Sequence, residues 1–145
     1  MDRIKQIVDK LVRKYKTNDP FEIADFKGII ILREPLGSTL GYHSSYRRHR
    51  FIHINSDSNK MDQLFTCAHE LAHDILHPRA NTPFLRANTL FSIDRIEHEA
   101  NRFAVELLLP DWILRQYMNT ACTIEEIAST RGVPSELARL KRFTK

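Results

Sequence analysis

The sequence predicts an α+β fold: a single, mostly helical domain with a small mixed sheet packed on the helix that carries His69-Glu70-Leu71-Ala72-His73. Three observations lead there. A chain of 145 residues, 42% hydrophobic and 28% charged, can bury one sizeable core but not two independent ones. Apolar residues recur at helical spacing over most of the length, with charged residues between them. Two short β-branched or aromatic runs, Ile29 to Leu32 and Phe51 to Asn55, interrupt that pattern and bracket a polar, basic stretch.

Taken in order, Ile4, Ile7, Val8, Leu11 and Val12 mark an amphipathic helix over the first sixteen residues, ended by Asn18-Asp19-Pro20. Asp19 is placed to cap, and Pro20 to open, a short second helix through Phe21, Ile23 and Ala24 that stops before Gly28. Ile29 to Leu32 is too short for a helix there and reads as a strand buried on both faces. Leu40-Gly41-Tyr42 and Phe51-Ile52-His53-Ile54-Asn55 flank Tyr46-Arg47-Arg48-His49-Arg50, the expected tip of a long hairpin. From Lys60 to His77 the pattern is helical again: Leu64, Phe65, Ala68, Leu71, Ala72, Ile75 and Leu76 take one side, and His69, Glu70, His73, Asp74 and His77 the other. Pro78 ends this helix, and a loop bordering the cleft is expected up to Ser92. Ile93 to Leu109 forms the next helix, with Ile93, Ile96, Ala100, Phe103, Ala104 and Leu107 at core spacing; Pro110 breaks it before a short helix bearing Trp112, Ile113 and Tyr117.

Composition narrows the setting. No apolar run approaches the roughly 20 residues that span a bilayer, and the N-terminus is a basic amphipathic helix rather than a signal peptide, so a cytoplasmic protein without membrane partners is expected. Cys67 and Cys122 are too few for a disulfide scaffold, which fits a reducing compartment. The net charge of +4 is modest and spread out, a weak argument for nucleic acid.

The chemistry concentrates on His69, Glu70 and His73. Positions i and i+4 of a helix lie on one face about 6 Å apart, so both imidazoles can reach one ion, while Glu70, roughly 100° around, can address water beside it. A catalytic zinc keeps three protein ligands and one open position, so a third ligand is needed. His77 is too far along a straight helix, about 12 Å from His69. On the next helix Glu97 lies roughly 55° from the mean apolar direction, Glu99 roughly 105°, and His98 nearly opposite. Glu97 is the best placed, Glu99 stays an alternative, and Asn101 shares the side of Glu97 and could bond a ligand. His77 reads as a hydrogen-bonded wall, and His43, His49 and His98 as solvated. His53 and Tyr46 are weaker candidates to stabilise an oxyanion. An extended peptide could add to the edge of the strand from Phe51 to Asn55.

Three segments then carry a family resemblance: Asn18-Asp19-Pro20-Phe21-Glu22-Ile23 leading into Gly28 to Leu32; Phe51 to Asn55 followed by Cys67-Ala68-His69-Glu70-Leu71-Ala72-His73-Asp74-Ile75-Leu76-His77; and Ile96-Glu97-His98-Glu99-Ala100-Asn101 through Pro110. Together, over roughly residues 3 to 118, they resemble the ImmA/IrrE zinc metallopeptidases, most of all the ImmA-type anti-repressor proteases of mobile elements and phages. The resemblance implies a zincin-like core of the gluzincin kind, with His69, His73 and Glu97 binding Zn2+ and Glu70 as general base. It also implies a helix-turn-helix repressor as substrate, cut in response to DNA damage or another signal. Thermolysin-like relatives often carry Asp four positions after the ligand Glu, where this chain has Asn101; family members often have Gly where it has Ala72. Residues 1–118 are thereby expected to form the metallopeptidase domain.

The remainder, 119–145, reads as a helix-turn-helix-like hairpin packed on that domain: Thr123 to Thr130, a turn at Gly132-Val133-Pro134, and a second helix from Glu136 to Phe143 with Arg139, Lys141 and Arg142. The competing function is therefore a DNA-binding or zinc-sensing regulator with little proteolytic activity.

Overall fold

The computed structural model describes residues 2–79 and 90–144, and the side chains of all of these except 90–93. The expectation that a loop ahead of Ser92 borders the cleft falls mostly outside them.

Helix α1, Arg3–Tyr15, is capped by Asp2, whose carboxylate accepts from the Lys5 amide, and it ends at Lys16 in the left-handed region (φ 58°). Asp19 caps α2, Pro20–Phe26, with Pro20 in its first turn, as the sequence predicts. The strands are β1, Ile30–Glu34, β2, Gly41–Tyr46, and β3, His49–Asn55. Their order is β1-β3-β2, with β1 parallel and β2 antiparallel to β3, the mixed sheet that was expected. The hairpin between β2 and β3 closes through Arg47 and Arg48, both at positive φ (49° and 68°). That pair of left-handed residues matches the right-handed twist of the strands.

Two expectations about this sheet are corrected. The apolar run at β1 is not covered on both faces: Ile30 and Leu32 are 40% and 38% exposed, because β1 is an outer strand and only one face of the sheet meets helix. Nor does the stretch from Phe51 to Asn55 offer an edge to a peptide, because β3 is the central strand and pairs on both sides. The outer strand over the next helix is β2.

Helix α3, Lys60–Leu76, starts at Asn59, which accepts from the Asp62 amide, and stops one residue before its expected end at His77. Its apolar side buries Cys67, Ala68, Leu71 and Ala72 against Ile52 and Ile54 of β3 and against α4, Leu90–Leu108. Helix α4 starts three residues ahead of the expected Ile93 and buries Ala100, Phe103, Ala104 and Leu107. Alanines on both helices suit a close approach of the two backbones.

After α5, Asp111–Gln116, the chain turns into α6, Ile124–Thr130, which starts with a capping box between Thr123 and Glu126. Gly132, at φ 87°, lies so near α3 that a Cβ would stand 3.2 Å from Leu64 Cδ2 and from the Met61 carbonyl. The second helix expected over Glu136 to Phe143 is instead a 3-10 helix, Ser135–Leu140. Beyond it, the ammonium of Lys141 is buried between Glu106 and Asp111, at 2.8 Å from each, so it is spent inside the protein rather than offered to a phosphate. Among the described residues, no helix is long and apolar enough to cross a membrane.

Candidate metal centre

Helices α3 and α4 bring the predicted residues together. The i, i+4 spacing puts His69 and His73 on one face, with their Nε2 atoms 3.2 Å apart. From α4, Glu97 reaches both: Oε2 is 2.9 Å from His69 Nε2 and Oε1 is 3.0 Å from His73 Nε2. Glu70 stands beside them, and His69, Glu70 and His73 each offer a ligand atom within 4.8 Å of the others. Glu70 and His73 are buried rather than solvated, although both lie on the polar side of the helix.

The far side of each histidine is also held. His69 Nδ1 is 2.9 Å from Asn101 Oδ1, so Asn101 orients this ring. His73 Nδ1 is 3.1 Å from His77 Nδ1, and His77 Nε2 is 2.9 Å from Glu99 Oε1. His77 is thus a hydrogen-bonded wall, as expected, and Glu99 turns to His77 rather than to the His69 and His73 pair.

Electrostatics bind the group as one unit. Burial opposes charge on His69, but the hydrogen bond it gives to Glu97, the charges of Glu70 and Glu97 and the bond to Asn101 outweigh it and raise its pKa. For His73, burial prevails over Glu97, the charges of His69 and His77 add to it, and the pKa is lowered. Burial would raise the Glu97 carboxyl, yet its bonds to His69 and His73 hold it well below the usual carboxylate range. Two imidazole nitrogens and two carboxylate oxygens that face one another at about 3 Å require shared positive charge. One hard-to-borderline divalent cation with N and O ligands meets that requirement, so the donor set fits a metal ion.

Other candidates lie elsewhere. His53 engages both ring nitrogens away from the centre, Nδ1 with Glu34 (2.9 Å) and Nε2 with Ser44 (2.8 Å), and stacks on Tyr42 with centroids 4.0 Å apart. Tyr46 is exposed at the hairpin tip under the Arg47 guanidinium. Neither joins the histidines. His49 and His98 are exposed as expected, whereas His43 is not solvated: its Nε2 is 3.0 Å from the buried Asp74, which also accepts from Arg50 at 2.7 Å. This contact ties the hairpin to α3 next to His73, and sequence reasoning missed it. The signal was strand alternation, since His43 lies opposite the core residue Ile52, but it depends on a register that the sequence does not state.

The Peptidase_M78 family, described as the IrrE N-terminal-like domain, matches residues 24–141. Over 139 residues, 95% of the chain, it is 50% identical to "Uncharacterized immunity region protein 2" of Bacillus phage phi105, and it covers 88% of that protein. It is also 36% identical over 136 residues to "Metallopeptidase ImmA" of Bacillus subtilis (strain 168), covering 91% of this chain and 79% of the relative. With helices α3 and α4 bringing such a donor set together inside the matched region, the chain belongs to the Peptidase_M78 family, the IrrE N-terminal-like metallopeptidases.

Proposed function

We propose that this chain is a zinc-dependent endopeptidase that cuts a helix-turn-helix transcriptional repressor of a phage or mobile element at one site in the cytoplasm. In this reading His69, His73 and Glu97 hold Zn2+, and Glu70 is the general base. The observation that carries it is the convergence of both Nε2 atoms on the two oxygens of Glu97. Bound there, Zn2+ supplies Lewis acidity toward a peptide carbonyl and toward water.

Glu70 takes one proton from the attacking water as the oxygen bonds to the scissile carbon. It returns that proton to the amide nitrogen as the C–N bond breaks, and the water's second proton then passes from the new carboxyl group to the amine, so the products are a carboxylate and an ammonium. Burial of Glu70 next to His69 and His73 supports this role, since a base in a partly dry site exchanges a proton with little solvent rearrangement. An extended substrate would pair with the outer edge of β2, unpaired among the described residues, whose His43 and Gly41 pack on α3 alongside the site. Similarity to a phage immunity-region protein supports a repressor of such a region as the substrate.

The test uses purified wild type, Glu70→Gln, His69→Ala and Glu97→Ala, analysed for metal and incubated with the repressor encoded beside the gene. Glu70→Gln is expected to keep stoichiometric zinc and to lose cleavage by roughly 10²-fold or more. Each ligand variant is expected to lose both. Full zinc occupancy in His69→Ala and Glu97→Ala would overturn the ligand assignment. Zinc-loaded wild type that leaves the repressor whole would overturn the substrate, and binding of operator DNA by that same protein would favour the regulatory alternative.

A further inference from the structure

We propose that His77 and Glu99 form a positioning relay that sets which nitrogen of His73 faces the metal centre; this rests on the reading of His69, His73 and Glu97 as the ligands.

The contact between His73 Nδ1 and His77 Nδ1, at 3.1 Å, is symmetric in atom type, so taken alone it has no direction. Direction enters from the far end. Glu99 Oε1 lies 2.9 Å from His77 Nε2, and a carboxylate only accepts, so Nε2 of His77 carries the proton. A neutral imidazole has one N–H, which leaves His77 Nδ1 as an acceptor. With an acceptor at His77 Nδ1, His73 donates through Nδ1, on the side away from Glu97. His73 Nε2 in turn faces a carboxylate oxygen, Glu97 Oε1 at 3.0 Å; an ion bound there takes the place of a proton on Nε2, and the relay then keeps the remaining proton on Nδ1, the form a metal ligand needs.

Without Glu99 the same Nδ1 to Nδ1 contact could run the other way, with the proton of His73 on Nε2, where it blocks a metal. Sequence distance fits the device. His77 lies one turn after His73 on the same face, where it is too far from His69 to share the ion but close enough to hold the ring. With the ion bound, His69 reaches the same tautomer by a shorter route, through the neutral acceptor Asn101 Oδ1 at 2.9 Å. The relay is well enclosed at His77, whose side chain is 8% exposed, and looser at Glu99, where Arg95 approaches to 3.9 Å.

The experiment is a chelator competition that measures Zn2+ affinity of the full chain as wild type, His73→Ala, His77→Ala, His77→Asn and Glu99→Ala. It is accompanied by nitrogen-15 NMR of the histidine rings in the zinc-loaded proteins. Loss of the partner in His77→Ala is expected to weaken zinc by roughly 10–100-fold, and Glu99→Ala to weaken it in the same direction. His77→Asn, whose Oδ1 accepts but has no proton to give back on that atom, is expected to recover most of the loss. In wild type the spectrum is expected to show His73 protonated at Nδ1 and His77 at Nε2. Melting of the metal-free variants separates misfolding from loss of the relay, because Glu99 is partly exposed and its truncation leaves the core untouched. If His73→Ala loses zinc while His77→Ala and Glu99→Ala bind like wild type with unchanged ring protonation, the relay is overturned and the ligand set stands. If His73→Ala itself binds like wild type, the ligand set fails first.

Discussion

Cys67 lies two residues before His69 on the same helix, and its environment is the reverse of a reactive thiol's. Burial pushes its pKa up strongly, and the charge of Asp19 adds to the effect, so little thiolate forms near neutral pH. Cys122 is exposed. Iodoacetamide at mildly alkaline pH is therefore expected to label Cys122 in the folded protein and to reach Cys67 only after denaturation. Mass spectrometry of the peptides checks this, and equal labelling of both in the native state would contradict the burial. The contrast also bears on the histidines nearby: the inner side of α3 is a dry, close-packed surface, and what differs about His69, Glu70 and His73 is the arrival of α4 with polar partners. Local helix geometry made the inward side of Glu97 legible from sequence, because an angle around a helix needs no tertiary knowledge. The partner of Asp74 was not legible, since His43 and Arg50 approach from strands whose register is a long-range property.

At the scale of elements, the sheet rests on α3 through Gly41. A Cβ at this position would overlap the carbonyl oxygen of His53 and stand 2.5 Å from Thr66 Cγ2. The first neighbour is backbone of the central strand, so it cannot swing aside, and β2 would have to lift away from β3 and α3 together. Gly41→Ala is thus expected to lower stability by about 1–3 kcal/mol. Urea unfolding checks it, and Thr66→Ser in the same chain, which removes only the methyl clash, is expected to restore little. An unchanged urea midpoint would show that β2 does not sit as described. Helices were readable in advance because each carries its own period, and α2 also its own start in Asp19 with Pro20; the caps at Asn59 and at Thr123 with Glu126 add local signals of the same kind. Strand placement was not. Four consecutive apolar residues at Ile29 to Leu32 look alike whether one or both faces are covered, and nothing local tells that β3 rather than β1 takes the middle.

Across the whole molecule, the two ends of the chain meet on α4 through a compact set of charges. Glu106, almost fully buried, pairs with Lys141 (2.8 Å) and Arg102 (2.8 Å) and accepts from the Arg142 amide (2.8 Å). Lys141 and Lys5 both reach Asp111, at 2.8 and 2.7 Å, and Arg102 also pairs with Asp2 at the start of α1. Three acids thus balance three bases, which is what lets charges stay buried. Burial would raise the pKa of Asp111, but hydrogen bonds from Lys141 and then Lys5, with their charges, lower it below its ordinary value. A carboxyl whose folded pKa is depressed stabilises the fold above its unfolded pKa, about 3.9, and that contribution fades as pH falls through the folded value. Unfolding free energy of the metal-free protein is therefore expected to drop as pH falls below about 4, with the tail and α1 loosening together. Asp111→Asn keeps an acceptor but no charge. It is expected to be less stable than wild type at pH 7 by about 1–3 kcal/mol and to lose less on acidification, so the two curves converge in acid. Denaturant titrations at several pH values check this. Parallel curves would mean that Asp111 carries the same proton in folded and unfolded chains, and that the junction of the two ends rests on Glu106 and on the pair of Arg102 with Asp2 instead.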